Sequence, residues 1–233
     1  MTFNQILEQA TLVKRYKRFL ADVERHDGST ITVHCPNSGS MKTCSDPGSP
    51  VCFSTSDNPK RKYPHTLEMV HNGMTWIGVN TSRTNTLVAE AIEQGTIKEL
   101  KGYKNLRREI KTSEGNRLDL MLERGADKIY IEVKNCSLVV DGCAMFPDAV
   151  TSRGTKHLLE LARLVKEGHR GVIFFLVQRQ DGNHFSPAAD IDPLYASTLK
   201  EVVKKGVEIM VYQAHVTPDS IDVATSLPVK LAL

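Results

Sequence analysis

Two carboxylates and a lysine near the middle of the chain have the residue types and the spacing of a metal site. Asp119, Glu132 and Lys134 lie within residues 117–135, RLDLMLERGADKIYIEVKN. Two carboxylates held close together repel each other, and a divalent cation removes this repulsion by binding both of them. The stretch therefore predicts that Asp119 and Glu132 bind a divalent metal ion beside Lys134.

The alternation of side chains in the same stretch predicts the two strands that would bring these groups together. Every second residue from 118 to 122, and again from 129 to 133, is apolar, which is typical of half-buried strands. Gly125 and its polar neighbours supply a turn. A turn centred just after Gly125 places Asp119 opposite Glu132, where facing Cβ atoms are about 4.5–5.5 Å apart. Lys134, two residues beyond Glu132, then lies on the same face.

The composition is that of a globular protein in a reducing compartment. The 233 residues are 40% hydrophobic and 24% charged, with a net charge of +3, and no apolar run approaches the ~20 residues of a membrane span. The five cysteines form no Cys-x-x-Cys pair, and the first residues, MTFNQILEQATLVKRYKRF, lack the pattern of a signal peptide. We therefore expect reduced thiols and a cytoplasmic protein.

Two short basic clusters, each next to a tyrosine, are candidates for contacts with nucleic acid. The first is Lys14, Arg15, Tyr16, Lys17 and Arg18, and the second is Lys60, Arg61 and Lys62, before Tyr63. Positive charge follows phosphates and aromatic rings stack on bases, a combination that suits single-stranded nucleic acid. Each cluster taken alone is more typical of a solvated surface.

Residues 1–84 contain short strand-like runs separated by turn-forming residues. The runs lie at 18–25, 29–35, 49–56, 65–72 and 74–80. Several short strands at close spacing predict a small barrel, and we expect a five-stranded OB-like barrel. The loop at 36–50, rich in Gly, Ser and Pro, carries Ser38, Ser40 and Lys42, whose chemistry suits phosphate contacts but is equally typical of turns.

Residues 85–233 have a different pattern and are predicted to form a second domain. A helix is predicted from Asn85, its cap, to Gly95, with Glu90 on the flank of its apolar stripe. Three strands, a loop at 138–151, a helix, a strand, a helix and a strand follow, which predicts a mixed sheet flanked by helices and an α+β fold class. No Gly-x-Gly-x-x-Gly, P-loop or Gly-x-Ser-x-Gly motif is present, so dinucleotide binding, P-loop chemistry and serine hydrolysis have no support.

The order of these elements resembles the core of PD-(D/E)xK nucleases. In that superfamily a helix supplies a Glu, one strand an Asp, and the next strand Glu-x-Lys; the matching residues here are Glu90, Asp119, Glu132 and Lys134. Leu118 stands where the superfamily often has proline. The resemblance implies that the three carboxylates are catalytic groups that bind Mg²⁺ or Mn²⁺. It also implies that Lys134 steers the attacking water, so that the site hydrolyses phosphodiester bonds.

Eight segments spread over nearly the whole chain resemble the sugar fermentation stimulation protein A (SfsA) family. They are KRYKRFLADV, HCPNSGSMKTC, NPKRKYPHTLE, WIGVNT, RLDLML, YIEVKN, FPDAVTSRGTKHLLEL and GVEIMVY. The resemblance implies an N-terminal OB-like domain, a nuclease-like C-terminal domain and DNA binding with little sequence preference. Because it covers SRGTKHLLEL, it also favours Arg153, Lys156 and His157, at a helix start, as phosphate contacts.

Three alternatives to a DNA nuclease stay open. In the first, the protein is a DNA-binding regulator that keeps a nuclease fold without turnover, in line with the family's proposed link to maltose metabolism. In the second, RNA replaces DNA, since OB folds accept single strands of either kind. In the third, Glu132 and Lys134 form only a surface ion pair. The oligomeric state and the roles of Glu109, Asp148 and Gln178 are also left open.

Overall fold

The structure, a computed structural model, describes residues 1–231 of the chain. The strands are β1 (Glu8–Tyr16), β2 (Leu20–Glu24), β3 (Thr30–His34), β4 (Pro50–Thr55), β5 (His65–His71), β6 (Trp76–Gly78), β7 (Lys104–Ser113), β8 (Asn116–Arg124), β9 (Asp127–Cys136), β10 (Leu138–Val140), β11 (Cys143–Phe146), β12 (Arg170–Val177), β13 (His184–Pro187), β14 (Glu208–Val216) and β15 (Ile221–Ser226). The α-helices are α1 (Thr84–Glu93), α2 (Ser152–Lys166) and α3 (Pro193–Lys204). The last two residues of the predicted second domain, 232 and 233, lie outside the described residues. Among residues 1–231, no helix is both long and apolar enough to cross a membrane.

β1 to β5 form the five-stranded OB-like barrel expected from the sequence, and β6 extends its sheet by pairing with β5. They lie in the order β3-β2-β1-β4-β5-β6, and a parallel contact between His34 of β3 and Thr66 of β5 closes the barrel around core residues such as Phe53. β1 was not among the predicted strands. Only Ala10 and Leu12 of β1 are buried, so its alternation is too short to be a clear strand signal.

Six later strands build a mixed sheet with helices on both faces, as predicted. Its order is β15-β14-β12-β9-β8-β7, with β14, β12 and β9 parallel and the outer pairs antiparallel. α1 shares one hydrophobic core with Phe174 of β12, whereas α2 and α3 share the core on the other face with Phe175. Alternate residues of β12 thus enter two cores, which explains its continuous apolar run.

Three short strands and one helix cap differ from the prediction. The segment 138–151, predicted as a loop, contains β10 and β11, which form a small sheet with β13. Strands of three or four residues are too short to show alternation. Asn85 does not cap α1, because a 3₁₀ helix at Thr81–Arg83, capped by Asn80, comes directly before it. The side chain of Asn85 is therefore available for another contact.

A buried ion pair fixes the connection between the barrel and α1. Glu68 of β5 has only 1% of its side chain exposed and accepts from Arg83 Nε at 2.6 Å and Nη2 at 2.7 Å. Asn80 Nδ2 donates to Glu68 Oε2 at 2.8 Å, and Ser54 Oγ donates to Glu68 Oε1 at 2.6 Å. Both carboxylate oxygens are therefore paired, as a buried charge requires. These contacts hold the start of α1 against the barrel.

Replacing Arg83 by methionine is expected to lower the free energy of unfolding by about 3–5 kcal/mol, because the buried Glu68 carboxylate loses its counter-ion. Arg107→Met is the matched control, since Arg107 is 63% exposed and lies 3.8 Å from Glu123. Exposed pairs contribute at most about 1 kcal/mol. Denaturant unfolding measures both variants, and equally small losses would contradict the structural role of the Glu68–Arg83 pair.

Candidate functional site

The β8–β9 hairpin places Asp119 and Glu132 across from each other. In its register Leu120 is opposite Ile131, so continuing the same register makes Asp119 and Glu132 the next facing pair. The backbone N–H of Val133 donates to Asp119 Oδ2 at 2.8 Å. The carboxylate of one strand is thus bonded to the backbone of the other, which fixes its position.

Asn85 of α1 is a site residue that the sequence did not reveal, because a polar residue at a helix start more often caps the helix. Its Nδ2 donates to Asp119 Oδ1 at 2.8 Å. Burial, and next the charge of Glu132, raise the pKa of Asp119 to about 6, against the opposing effect of the hydrogen bonds that this carboxylate accepts. A divalent cation at Asp119 would replace this repulsion by attraction.

Glu132 is buried, with 2% of its side chain exposed. Its Oε1 accepts from Lys134 Nζ at 2.5 Å and is also paired with His157 Nδ1. Its Oε2 is buried and has no hydrogen-bond partner among residues 1–231. Burial favours a higher pKa for Glu132, but the hydrogen bond with His157 and the charge of Lys134 outweigh burial and hold that pKa below its usual value. One oxygen of an ionised carboxylate is thus held by two donors, and the other has no hydrogen-bond partner.

Both carboxylates border a cavity of about 490 Å³ to which the two domains contribute. The barrel supplies Arg18 and residues 37–39. The lining from the second domain and the connection before it includes Thr81, Thr84, Asn85, Asp119, Glu132, Val133, Lys134, Asn135, Ser137, residues 146–151, Arg153 and His157. A molecule bound at the carboxylates would therefore touch both domains.

Asp148, whose role was open, joins the barrel loop to the second domain. Its Oδ2 accepts from Met41 N at 3.1 Å and from Ser40 Oγ at 3.5 Å. A Cβ on Gly39 would lie 2.3 Å from the same oxygen, so a larger residue there would displace the Asp148 carboxylate from the loop. On the barrel side, Arg15 of β1 fixes the same loop by donating to backbone carbonyls, including that of Gly39 at 2.8 Å. This wall of the cavity is therefore fixed at both ends.

The predicted nucleic-acid contacts fall into three groups. Those that line the cavity are Arg18, Ser38, Arg153 and His157. Those already engaged with the protein are Arg15 and Ser40 in the loop, Lys14 and Tyr16 with Asp22, and Arg61 with Thr66. Those on the exposed surface are Lys17, Lys42, Lys60, Lys62 and Lys156. Arg15 in particular is committed to backbone carbonyls, so its guanidinium is a poor candidate for phosphate binding.

Glu90 does not join the predicted carboxylate cluster. It lines a different cavity and lies 3.4 Å from the amino nitrogen of Met1. The physical reason is helical phase: Asn85 reaches Asp119, and five further residues rotate a side chain by about 140° around the helix. Among residues 1–231, no three acidic, His or Cys side chains are grouped so that they could hold a metal ion together. The structure thus corrects the expected placement of Glu90.

Glu109 and Gln178, whose roles the sequence left open, do not contact the carboxylate pair directly. Glu109 of β7 is exposed, 3.6 Å from Arg117. Gln178 is fully buried and donates to Asn135 Oδ1 at 2.6 Å and to Thr84 Oγ1 at 3.2 Å. Because Asn135 and Thr84 line the cavity, Gln178 supports its wall from behind.

The donors present fit a hard divalent ion. The pKa of Asp119 is raised in part by the negative charge of Glu132. The Oε2 atom of Glu132 is buried and has no hydrogen-bond partner among residues 1–231. Mg²⁺ is usually bound by one or two carboxylates and completes its shell with waters and substrate oxygens. Two carboxylates beside an open cavity are therefore sufficient for such an ion.

The chain belongs to the sugar fermentation stimulation protein family. The model described as the SfsA N-terminal OB domain matches residues 13–79. The model described as the sugar fermentation stimulation protein RE domain matches residues 82–220. The two matches correspond to the barrel and to the mixed sheet with its helices.

Similar proteins span the whole chain. A sugar fermentation stimulation protein homolog from Desulfotalea psychrophila is 60% identical over 216 residues, covering 93% of this chain and 92% of its own length. The homolog from Geobacter sulfurreducens is 52% identical over 223 residues, covering 96% of each. The structure of Pyrococcus furiosus SfsA in complex with Ca²⁺ superimposes with a TM-score of 0.90 at 26% identity and covers 99% of this chain and 98% of that chain. The fold of this chain is therefore shared with that relative over almost the whole length of both chains.

The raised pKa of Asp119 predicts a pH-dependent gain in stability for Asp119→Asn in EDTA. The pKa in the folded protein, about 6, exceeds the ordinary value of 3.8, so ionisation of Asp119 destabilises the fold. This cost is absent below about pH 4, grows up to about pH 6 and is complete above it. We expect the variant to be more stable than the wild type above pH 6 by on the order of 1–3 kcal/mol.

Denaturant unfolding between about pH 4 and pH 8 measures this gain. Asp127→Asn, on the same hairpin but 66% exposed, is the control and should show no such dependence. If Asp119→Asn gained the same stability at both ends of the pH range, ionisation of Asp119 would not be what destabilises the wild type.

Proposed function

We propose that this member of the sugar fermentation stimulation protein family is a divalent-metal-dependent nuclease that hydrolyses phosphodiester bonds of DNA. The observation that supports the proposal is the facing pair Asp119 and Glu132, with Glu132 Oε2 buried and without a partner beside a cavity. Leaving a buried acceptor unpaired costs about 1–3 kcal/mol, and more for a charged group. A cation bound at this oxygen would offset that cost.

Under this proposal, five of the residues that line the cavity have roles that follow from their positions. Asp119 and Glu132 Oε2 would hold Mg²⁺ or Mn²⁺. An ion bound there supplies polarisation of the scissile phosphate and activation of a water. Lys134, next to Glu132, is placed to orient that water and to stabilise developing negative charge. Arg18 from the barrel and Arg153 from α2 would contact DNA phosphates on two sides.

Two further observations support DNA and a divalent ion as the partners. The cavity has cationic residues from both domains on its rim, and phosphate contacts of this kind bind DNA without reading its sequence. The Pyrococcus furiosus relative was solved in complex with Ca²⁺, a hard oxygen-seeking ion of the same class. We therefore expect little sequence preference and a requirement for Mg²⁺ or Mn²⁺.

Cleavage of labelled single-stranded, duplex and branched DNA in Mg²⁺, in Mn²⁺ and in EDTA tests the nuclease proposal. Cleavage is expected with either metal and not in EDTA. Asp119→Asn, Glu132→Gln and Lys134→Met should each lower the rate at least about 100-fold, since each removes a metal ligand or the group beside it. Glu109→Gln, an exposed carboxylate outside the cavity, is the matched control, and Glu90→Gln tests the sequence-based assignment. If every DNA substrate were bound but none were cut with either metal, the proposal would be contradicted.

Arg18→Gln and Arg153→Gln are expected to weaken DNA binding in EDTA several-fold each. Each should lower the slope of log affinity against log salt by about 1, because one phosphate contact is lost. Fluorescence anisotropy between about 50 and 200 mM salt measures this slope. Lys166→Met, exposed at the far end of α2, is the control. Unchanged slopes in both arginine variants would place the DNA away from the cavity.

A DNA-binding regulator without turnover is the second candidate. The observation that favours it is that Glu132 Oε1 already has a cationic partner, Lys134, and a second hydrogen-bond partner, His157, so this carboxylate is stabilised in the absence of a metal ion. In that case DNA binding persists in the Asp119 and Glu132 variants and no substrate is cut. Competition with RNA in the same binding assay tests the RNA alternative.

A further inference from the structure

A continuous line of contacts runs from α2 into the carboxylate pair. Arg153 Nε lies 3.3 Å from His157 Nε2, His157 Nδ1 contacts Glu132 Oε1, and Lys134 Nζ lies 2.5 Å from that same oxygen. The side chain of His157 is 7% exposed. Both of its ring nitrogens are occupied, so His157 is not free to bind a phosphate as the sequence suggested.

The contact with Arg153 determines which nitrogen of His157 carries the proton. An arginine Nε–H can only donate a hydrogen bond, so His157 Nε2 must accept and Nδ1 must carry the hydrogen. The Nδ1–H group therefore donates to Glu132 Oε1. A hydrogen on Nε2 instead would face the Arg153 N–H and would leave the carboxylate without this donor. Arg153 thus fixes the tautomer that suits Glu132.

The start of α2 is anchored, which keeps His157 in place. Thr151 caps the helix by accepting from Gly154 N at 3.1 Å, and its own N–H donates to Asp192 Oδ2 at 2.8 Å. Asp192 is also the cap of α3. The N-termini of the two helices are therefore tied together, and the imidazole approaches β9 from a rigid support.

We propose that His157 is a positioning residue for the metal ligand Glu132. Its Nδ1–H holds Oε1, so that Oε2 stays available to the cation. Lys134 also contacts Oε1, but its ammonium is on a flexible stem and must turn to water or phosphate in the proposed reaction. His157 is then the donor that keeps the carboxylate in place, as hydrogen bonds to metal-binding carboxylates generally do. The inference rests on the proposed function, because it requires a cation at the carboxylate pair.

Mn²⁺ binding to the full chain in the absence of DNA, followed by calorimetry or by the EPR signal of free Mn²⁺, tests the inference. His157→Phe removes the donor but keeps a ring, and we expect Mn²⁺ to bind about 10–100-fold more weakly. His157→Asn, whose amide N–H can replace Nδ1–H, should restore most of the affinity. Lys166→Met, exposed at the far end of α2, is the control, and His157→Leu is a second apolar variant should His157→Phe not fold.

The variants separate the inference from the proposed nuclease activity. Weak binding by the apolar variants with recovery in His157→Asn supports positioning, because a smaller polar side chain would not restore lost packing. Equal affinity of the wild type and His157→Phe would overturn the inference and leave the nuclease proposal standing. Absence of Mn²⁺ binding by the wild type would overturn both. DNA affinity in EDTA should be unchanged in His157→Phe; a loss of DNA affinity with Mn²⁺ binding retained would make His157 a phosphate contact instead.

Discussion

The repulsion between a buried carboxylate, Glu132, and a half-buried one, Asp119, which face each other across a hairpin, is the constraint that organises this site. Asp119 and Glu132 lie where solvent screens their charges poorly, and the raised pKa of Asp119 reflects burial together with this repulsion. Donors from three elements surround them: Asn85 from α1, Lys134 from β9 and His157 from α2. The site therefore forms only when helices on both faces of the sheet are in place.

The barrel is part of the same site rather than a separate attachment. Arg15 donates hydrogen bonds to the backbone of the loop that follows β3, and Asp148 of the second domain accepts hydrogen bonds from that loop. Glu68 and Arg83 then fix the barrel to the start of α1, the helix that carries Asn85. In the proposed function, a DNA strand that enters the cavity would meet charges of both domains at once, so the same bound position would serve binding and cleavage.

Local patterns predicted those features that depend on local physics. Alternation around Gly125 predicted the hairpin and its register, because a one-residue slip would expose its apolar face. The role of Glu90 could not be predicted, since a short 3₁₀ helix sets the phase of α1 and an apolar stripe does not show which flank meets the sheet. Asn85 and His157 act through partners 34 and 25 residues away, so their roles depend on tertiary contacts that spacing alone does not encode.

The most direct test of the account is the anomalous scattering of Mn²⁺ in crystals of this protein. The account predicts one ion between Asp119 and Glu132, bound to Glu132 through Oε2, with metal–oxygen distances of about 2.0–2.2 Å, as is usual for small hard divalent ions. Oε1 should still be held by His157. An ion bound elsewhere, or bound through Oε1 with the contact to His157 broken, would contradict the account, as would the absence of any anomalous peak at the carboxylate pair.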